Sequence, residues 1–180
     1  MALKCFILEN APEQEVRHEN VQKAVQEYLN DETVQVVYSE KGAPSLQGCE
    51  PPKFLSVTTT GDKMLVVLQD TPVGIDGEYL PRCEKSKSDF LLMAERFFSG
   101  EETEYVRDGA SIGEEKLRFL KVWTRKEAYV KCVGKTLADF PSFSVVENGK
   151  LLSRLGAVAI RKFSIAFDGS ENYLFAIAGI

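Results

Sequence analysis

SIGEEKLRFLKVWTRKEAYVKCVG, residues 111–134, reads as one long helix with both of its ends marked. Ser111 followed three residues later by Glu114 is a capping-box pattern, and Glu115 adds a second acid to the first turn, where the helix dipole is positive. Gly134 supplies the stop, with Lys131 and Lys135 beside the negative end. Between these ends Phe119, Val122, Trp123, Val130 and Val133 recur at three- and four-residue steps. That period predicts one apolar face packed into a core.

Lys126 breaks the pattern, because helical spacing sets it among the apolar residues, where a charge is costly unless it snorkels or meets an anion. Residues 116–135 hold seven basic side chains and one acid, Glu127, so this stretch carries +6 in a chain whose total is −5. Charge segregated in this way points to a site for phosphates. Periodicity and charge equally allow an ordinary surface helix whose Glu127-to-Lys131 ion pair contributes a few tenths of a kcal/mol.

A chain of 180 residues with 44% hydrophobic and 27% charged side chains is long enough to bury a core, and its composition is that of a folded globular protein. The apolar runs are too short to span a membrane, and MALKCFILEN lacks the apolar region and cleavage site of a secretory signal, so a cytoplasmic protein is expected. Cys5, Cys49, Cys83 and Cys132 form no C-x-x-C pair, which argues against a zinc site or disulfide scaffold. There is one histidine, His18, in the polar run VRHENVQ, where it reads as an exposed residue. A catalytic triad or a His-rich metal site would have to use that residue. General base work therefore falls to a carboxylate or a lysine, and any metal is expected to be hard and oxygen-bound.

Taken in order, Leu3 to Leu8 is a strand, Pro12-Glu13 opens a helix to about Asn30 with Val16, Val21, Val25 and Leu29 inward, and Thr33 to Tyr38 is a strand. KGAPSLQGCEPPK reads as a loop, and strands follow at Phe54 to Thr60 and Lys63 to Gln69, turning at Gly61-Asp62. This predicts an α+β half over residues 1–70. In Val73-Gly74-Ile75-Asp76-Gly77-Glu78, extended geometry aims the carboxylates of Asp76 and Glu78 to one side, and two such groups can hold a divalent cation. Helices follow over Asp89 to Phe98 and from Ser99, then strands through Ala157 to Phe167 and Tyr173 to Ala178, with Asp168-Gly169 as a turn. A second α+β half is thus expected over 71–180.

Trp123-Thr124-Arg125-Lys126-Glu127-Ala128-Tyr129-Val130-Lys131, with Val-Gly-Ile-Asp-x-Glu at 73–78 upstream, resembles the two signatures of the 4'-phosphopantetheinyl transferases, in their larger single-chain, surfactin-synthetase-activating branch. Phe97-Phe98-x-x-x-Glu102 is similar to a further family segment. Gly42-Ala43-Pro44 stands where the family has Gly-Lys-Pro, and Thr58-Thr59-Thr60-Gly61 where it has Ser-His-Ser-Gly. Ala43 and Thr59 thus replace a lysine and a histidine, the latter a nucleotide-phosphate contact in the family. Lys41 is a candidate substitute, and the hydroxyls of Thr58 and Thr60 remain as donors.

The resemblance implies two similar α+β halves in a pseudo-twofold arrangement, each a long helix on a small antiparallel sheet. It implies Mg²⁺-dependent transfer of 4'-phosphopantetheine from coenzyme A to a serine of an apo carrier protein, in the cleft between halves. Asp76, Glu78 and Glu127 would be the metal ligands, Glu127 the base, and Lys126 and Lys131 the phosphate contacts, with Lys131 also serving catalysis. Arg82, Lys85, Lys87 and Arg96 are candidates for the carrier's landing area. A monomer is expected by analogy, and neither nucleic acid nor membrane is an expected partner. The competing reading is a family member that binds coenzyme A or a carrier without catalysis, motivated by Ala43 and Thr59.

Overall fold

The computed structural model describes residues 3–84, 86, 88–167 and 170–180, and within it the chain forms two α+β assemblies, each an antiparallel sheet with a helix on it. In chain order the first holds β1 (Lys4–Glu9), α1 (Gln14–Leu29), β2 (Gln35–Tyr38), β3 (Pro44–Gln47), β4 (Phe54–Thr60) and β5 (Lys63–Gln69). Its main sheet has the order β1-β5-β4, all antiparallel. α1 ends at Asn30, whose left-handed φ of 52° closes the last turn, and buries Val21 and Val25. Val16, expected inward, is exposed, because at 3.6 residues per turn it lies about 160° around the helix from the buried face of Val21 and Val25. The stretch expected as a loop contains β3, which pairs with β2 through Val36↔Leu46 and Val37↔Ser45. Its turn residues hid four residues of strand.

The second assembly runs β6 (Val73–Tyr79), α2 (Leu80–Glu84), α3 (Phe90–Phe97), α4 (Gly100–Arg107), α5 (Ile112–Val133), a 3-10 turn over Leu137–Ser142, the short strands β7 (Val146–Glu147), β8 (Lys150–Leu151) and β9 (Arg154–Leu155), then β10 (Val158–Phe167) and β11 (Ser170–Gly179). Its sheet has the order β6-β11-β10-β9. The expected turn at Asp168-Gly169 lies outside the described residues. α5 is the helix read from residues 111–134: the Ser111 side chain accepts from Glu114 N, and Gly134 caps the end at φ 70°. Only half of the capping box forms, since the Glu114 carboxylate accepts from Ala110 N and from Arg118 instead of Ser111 N.

Residue parity along β4 decides how the assemblies meet. Leu55 and Val57 join Val21, Val25 and Met64 in the core under α1. Ser56 and Thr58 point the other way, to β6: Ile75 N donates to Ser56 Oγ at 3.1 Å, and Thr58 Oγ1 donates to Asp76 Oδ1 at 3.4 Å. A buried cluster of Leu65, Val67, Val73, Ile75, Tyr173 and Phe175 seals the same junction. Among the described residues, no helix is long and apolar enough to cross a membrane.

Candidate functional site

Close contact between α5 and β6 assembles the site, and Gly74 permits it. A Cβ at Gly74 would lie 2.0 Å from the Ala128 carbonyl oxygen and 2.6 Å from Cys132 N, so no larger residue fits without moving the helix. The approach carries Lys131 Nζ to 2.8 Å from Asp76 Oδ1 and 3.1 Å from the Ile75 carbonyl. Gly77 likewise leaves no room for a side chain: the ring of Phe175 lies 2.2 Å from where a Cβ would stand.

Asp76, Glu78 and Glu127 are electrostatically joined across this contact. Burial pushes the Asp76 carboxyl upward against the pull of Lys131 and Thr58. Burial and then the charge of Asp76 raise Glu78 to about 7, with Arg82 and Lys131 opposing. Glu127 is raised by the same two causes, burial first and Asp76 second, and Lys131 opposes. Carboxyls that disfavour each other's charge while partly buried make this cluster the candidate site.

Among the described residues, no three acid, imidazole or thiol side chains converge closely enough to hold a metal ion as they stand. The donor set nevertheless suits a hard cation. Asp76 Oδ2 is buried with no hydrogen-bond partner, a costly state that a cation would relieve, and the acids that feel its charge, Glu78 and Glu127, offer oxygen ligands.

Lys126 stands elsewhere. It is fully buried, with Nζ 2.7 Å and 2.8 Å from the two carboxylate oxygens of Glu102 and 2.6 Å from the Phe143 carbonyl, and 4.1 Å from the Phe143 ring centroid. The anion it needs is Glu102, so the phosphate role expected for Lys126 is corrected to an internal one. Glu102 also accepts from Ser99 N at 2.8 Å and Val145 N at 2.7 Å, which fills its remaining lone pairs. Sequence reasoning missed this partner, although Phe97-Phe98-x-x-x-Glu102 carried the signal. Much of the basic excess of residues 116–135 is spent the same way, with Arg118 on Glu114 and Lys131 on Asp76.

The other candidates divide. Thr58 reaches Asp76, whereas Thr60 is buried towards β6 and lines no cavity that Thr59 lines. Lys41 is exposed in the β2–β3 turn, one residue before Gly42, whose φ of 78° shapes that turn. Arg82 is exposed beside Glu78. Arg96 lies over Phe97. Lys85 and Lys87 lie outside the described residues. His18, expected in solvent, stacks on Tyr38 with ring centroids 3.6 Å apart.

The model of the 4'-phosphopantetheinyl transferase superfamily matches residues 72–178, which contain α5 and every acid of this cluster. Among curated proteins the chain is similar to 4'-phosphopantetheinyl transferase psf-1 of Bacillus pumilus, 30% identical over 125 residues, covering 67% of this chain and 51% of that protein. It is likewise similar to 4'-phosphopantetheinyl transferase HetI of Nostoc sp. strain PCC 7120, 31% identical over 123 residues, covering 66% of this chain and 50% of that protein. The chain thus spans about half the length of these relatives.

Proposed function

The chain belongs to the 4'-phosphopantetheinyl transferase superfamily, and on that premise we propose that it moves the 4'-phosphopantetheine arm of coenzyme A to a serine of an apo carrier protein, releasing adenosine 3',5'-bisphosphate. Residues 1–70 form the nucleotide side of a cleft between two halves related by a pseudo-twofold axis. Residues 71–180 carry the reacting groups. The protein works as a cytoplasmic monomer, with Arg82 at the edge where an acidic carrier lands.

The observation that carries the reading is the meeting of Asp76, Glu127 and Lys131 across the Gly74 contact. The carrier serine oxygen forms a bond to the pantetheine-side phosphorus, the bond from that phosphorus to the bridging oxygen breaks, and the serine proton passes to Glu127. Because burial and Asp76 raise its pKa, Glu127 holds that proton better than an ordinary carboxylate. Lys131, anchored by Asp76 and the Ile75 carbonyl, presents a positive charge to the diphosphate. Asp76, Glu78 and Glu127 would hold Mg²⁺, which when bound neutralises charge on the phosphate oxygens.

The test is incubation with coenzyme A, Mg²⁺ and a panel of apo carriers, read by mass spectrometry. The expected result is the pantetheine mass increase on at least one carrier, lost in Glu127→Ala. No increase on any carrier, or turnover in Glu127→Ala equal to wild type, refutes the proposal.

A further inference from the structure

Some cations of α5 are left over once the internal pairs are made. Of the seven basic side chains in residues 116–135, Lys131 is spent on Asp76, Lys126 on Glu102, and Arg118 on Glu114 and the Tyr105 carbonyl. Lys121 and Arg125, one turn apart, make no ion pair among the described residues. β10 adds a third charge. Lys162 follows Ile160 by two residues, so it leaves the strand on the side where Ile160 is buried with Leu120 of α5. Burial first, then the charges of Lys162, Arg125 and Arg118, push the Lys121 ammonium below its ordinary pKa; Glu114 opposes them but is already held by Arg118.

Arg125 anchors the cluster. It is only 6% exposed; one guanidinium nitrogen donates to the Lys121 carbonyl at 2.9 Å, and Nε is buried with no hydrogen-bond partner. A buried cation with an idle donor is costly unless an anion meets it. Lys121 is half-buried and Lys162 exposed, so the cluster opens to solvent on the β10 side. A guanidinium edge flanked by two ammonium groups matches a small, doubly charged oxyanion. In the sheet order β6-β11-β10-β9, β10 stands two strands from β6, about 10 Å at the usual spacing, which sets this cluster apart from Asp76.

We propose that Lys121, Arg125 and Lys162 form a binding site for a phosphoryl group, free as inorganic phosphate or carried as a monoester. Its occupant ties α5 to β10 and so steadies the helix that also bears Glu127 and Lys131. The site goes beyond the coenzyme A reading and does not depend on it.

The probe is inorganic phosphate, titrated calorimetrically into the full chain against chloride at equal ionic strength, so that screening is common to both. Lys162→Gln alters an exposed position, and Arg125→Gln removes the buried charge, with circular dichroism to check that α5 persists. Lys131→Gln takes away the phosphate contact of the acid cluster. The expected affinity is weaker by roughly threefold in Lys162→Gln and roughly tenfold in Arg125→Gln, and unchanged in Lys131→Gln. Glycerol 3-phosphate binding as tightly as phosphate assigns the site to a monoester, and weaker binding assigns it to the free anion; both support the proposal. No phosphate uptake by wild type, or uptake lost in Lys131→Gln and unaltered in Lys162→Gln and Arg125→Gln, overturns it. Uptake of poly-glutamate in place of phosphate, weakened in Lys162→Gln, also overturns it, in favour of a contact for an acidic protein.

Discussion

Replacing Lys126 by methionine tests whether this lysine serves the fold or the ligand. Its ammonium makes three hydrogen bonds, two to Glu102 and one to the Phe143 carbonyl, at complete burial. Methionine preserves length and apolar contact with Phe98, Phe140 and Phe143 but leaves the Glu102 carboxylate with only the backbone donors Ser99 N and Val145 N. Removing one partner of a buried pair costs about 3–5 kcal/mol, because the other charge stays buried without its counter-ion. Against a total stability of about 5–15 kcal/mol this is a large loss. With a urea m-value of about 2 kcal/mol/M, the midpoint falls by roughly 2 M. Adding Glu102→Gln removes the stranded charge, so the double variant is more stable than the sum of the single losses by about 0.5–3 kcal/mol. A Lys126→Met protein within 1 kcal/mol of wild type that no longer binds nucleotide would refute the reasoning, since Lys126 would then face ligand instead of Glu102.

Glu78 makes stability depend on pH. Its pKa is about 7 in the fold against 4.5 free, so between these values the unfolded chain is ionised while the folded one keeps its proton. Stability therefore falls as pH rises from about 4.5 to 7 and levels off above, by at most about 3.4 kcal/mol at 1.36 kcal/mol per unit. Thermal melts across this range show that slope in wild type and a flatter one in Glu78→Gln; equal slopes reject the assignment. Gly74→Ala puts a methyl group 2.0 Å from the Ala128 carbonyl and displaces α5, which costs about 1–3 kcal/mol or more and lowers transfer beyond the loss of folded protein, measured by denaturation and turnover. Lys41→Ala raises the Michaelis constant for coenzyme A with kcat unchanged; an unaltered constant removes Lys41 from the nucleotide side.

The ends and face of α5 were legible because caps and a 3.6-residue period are properties of neighbouring residues: Ser111, Gly134, Phe119 and Val122 behave as their spacing demands. Local alternation likewise put Asp76 and Glu78 on one side of a strand. The same local reading marked Lys126 as a charge in need of an anion, without naming the anion. Tertiary packing decided that Glu102, 24 residues away, is that partner, that Phe175 fills the space beside Gly77, and that His18 faces the row of Thr59. These outcomes depend on contacts between distant segments, and periodicity within a segment holds no record of which face of another segment it will meet.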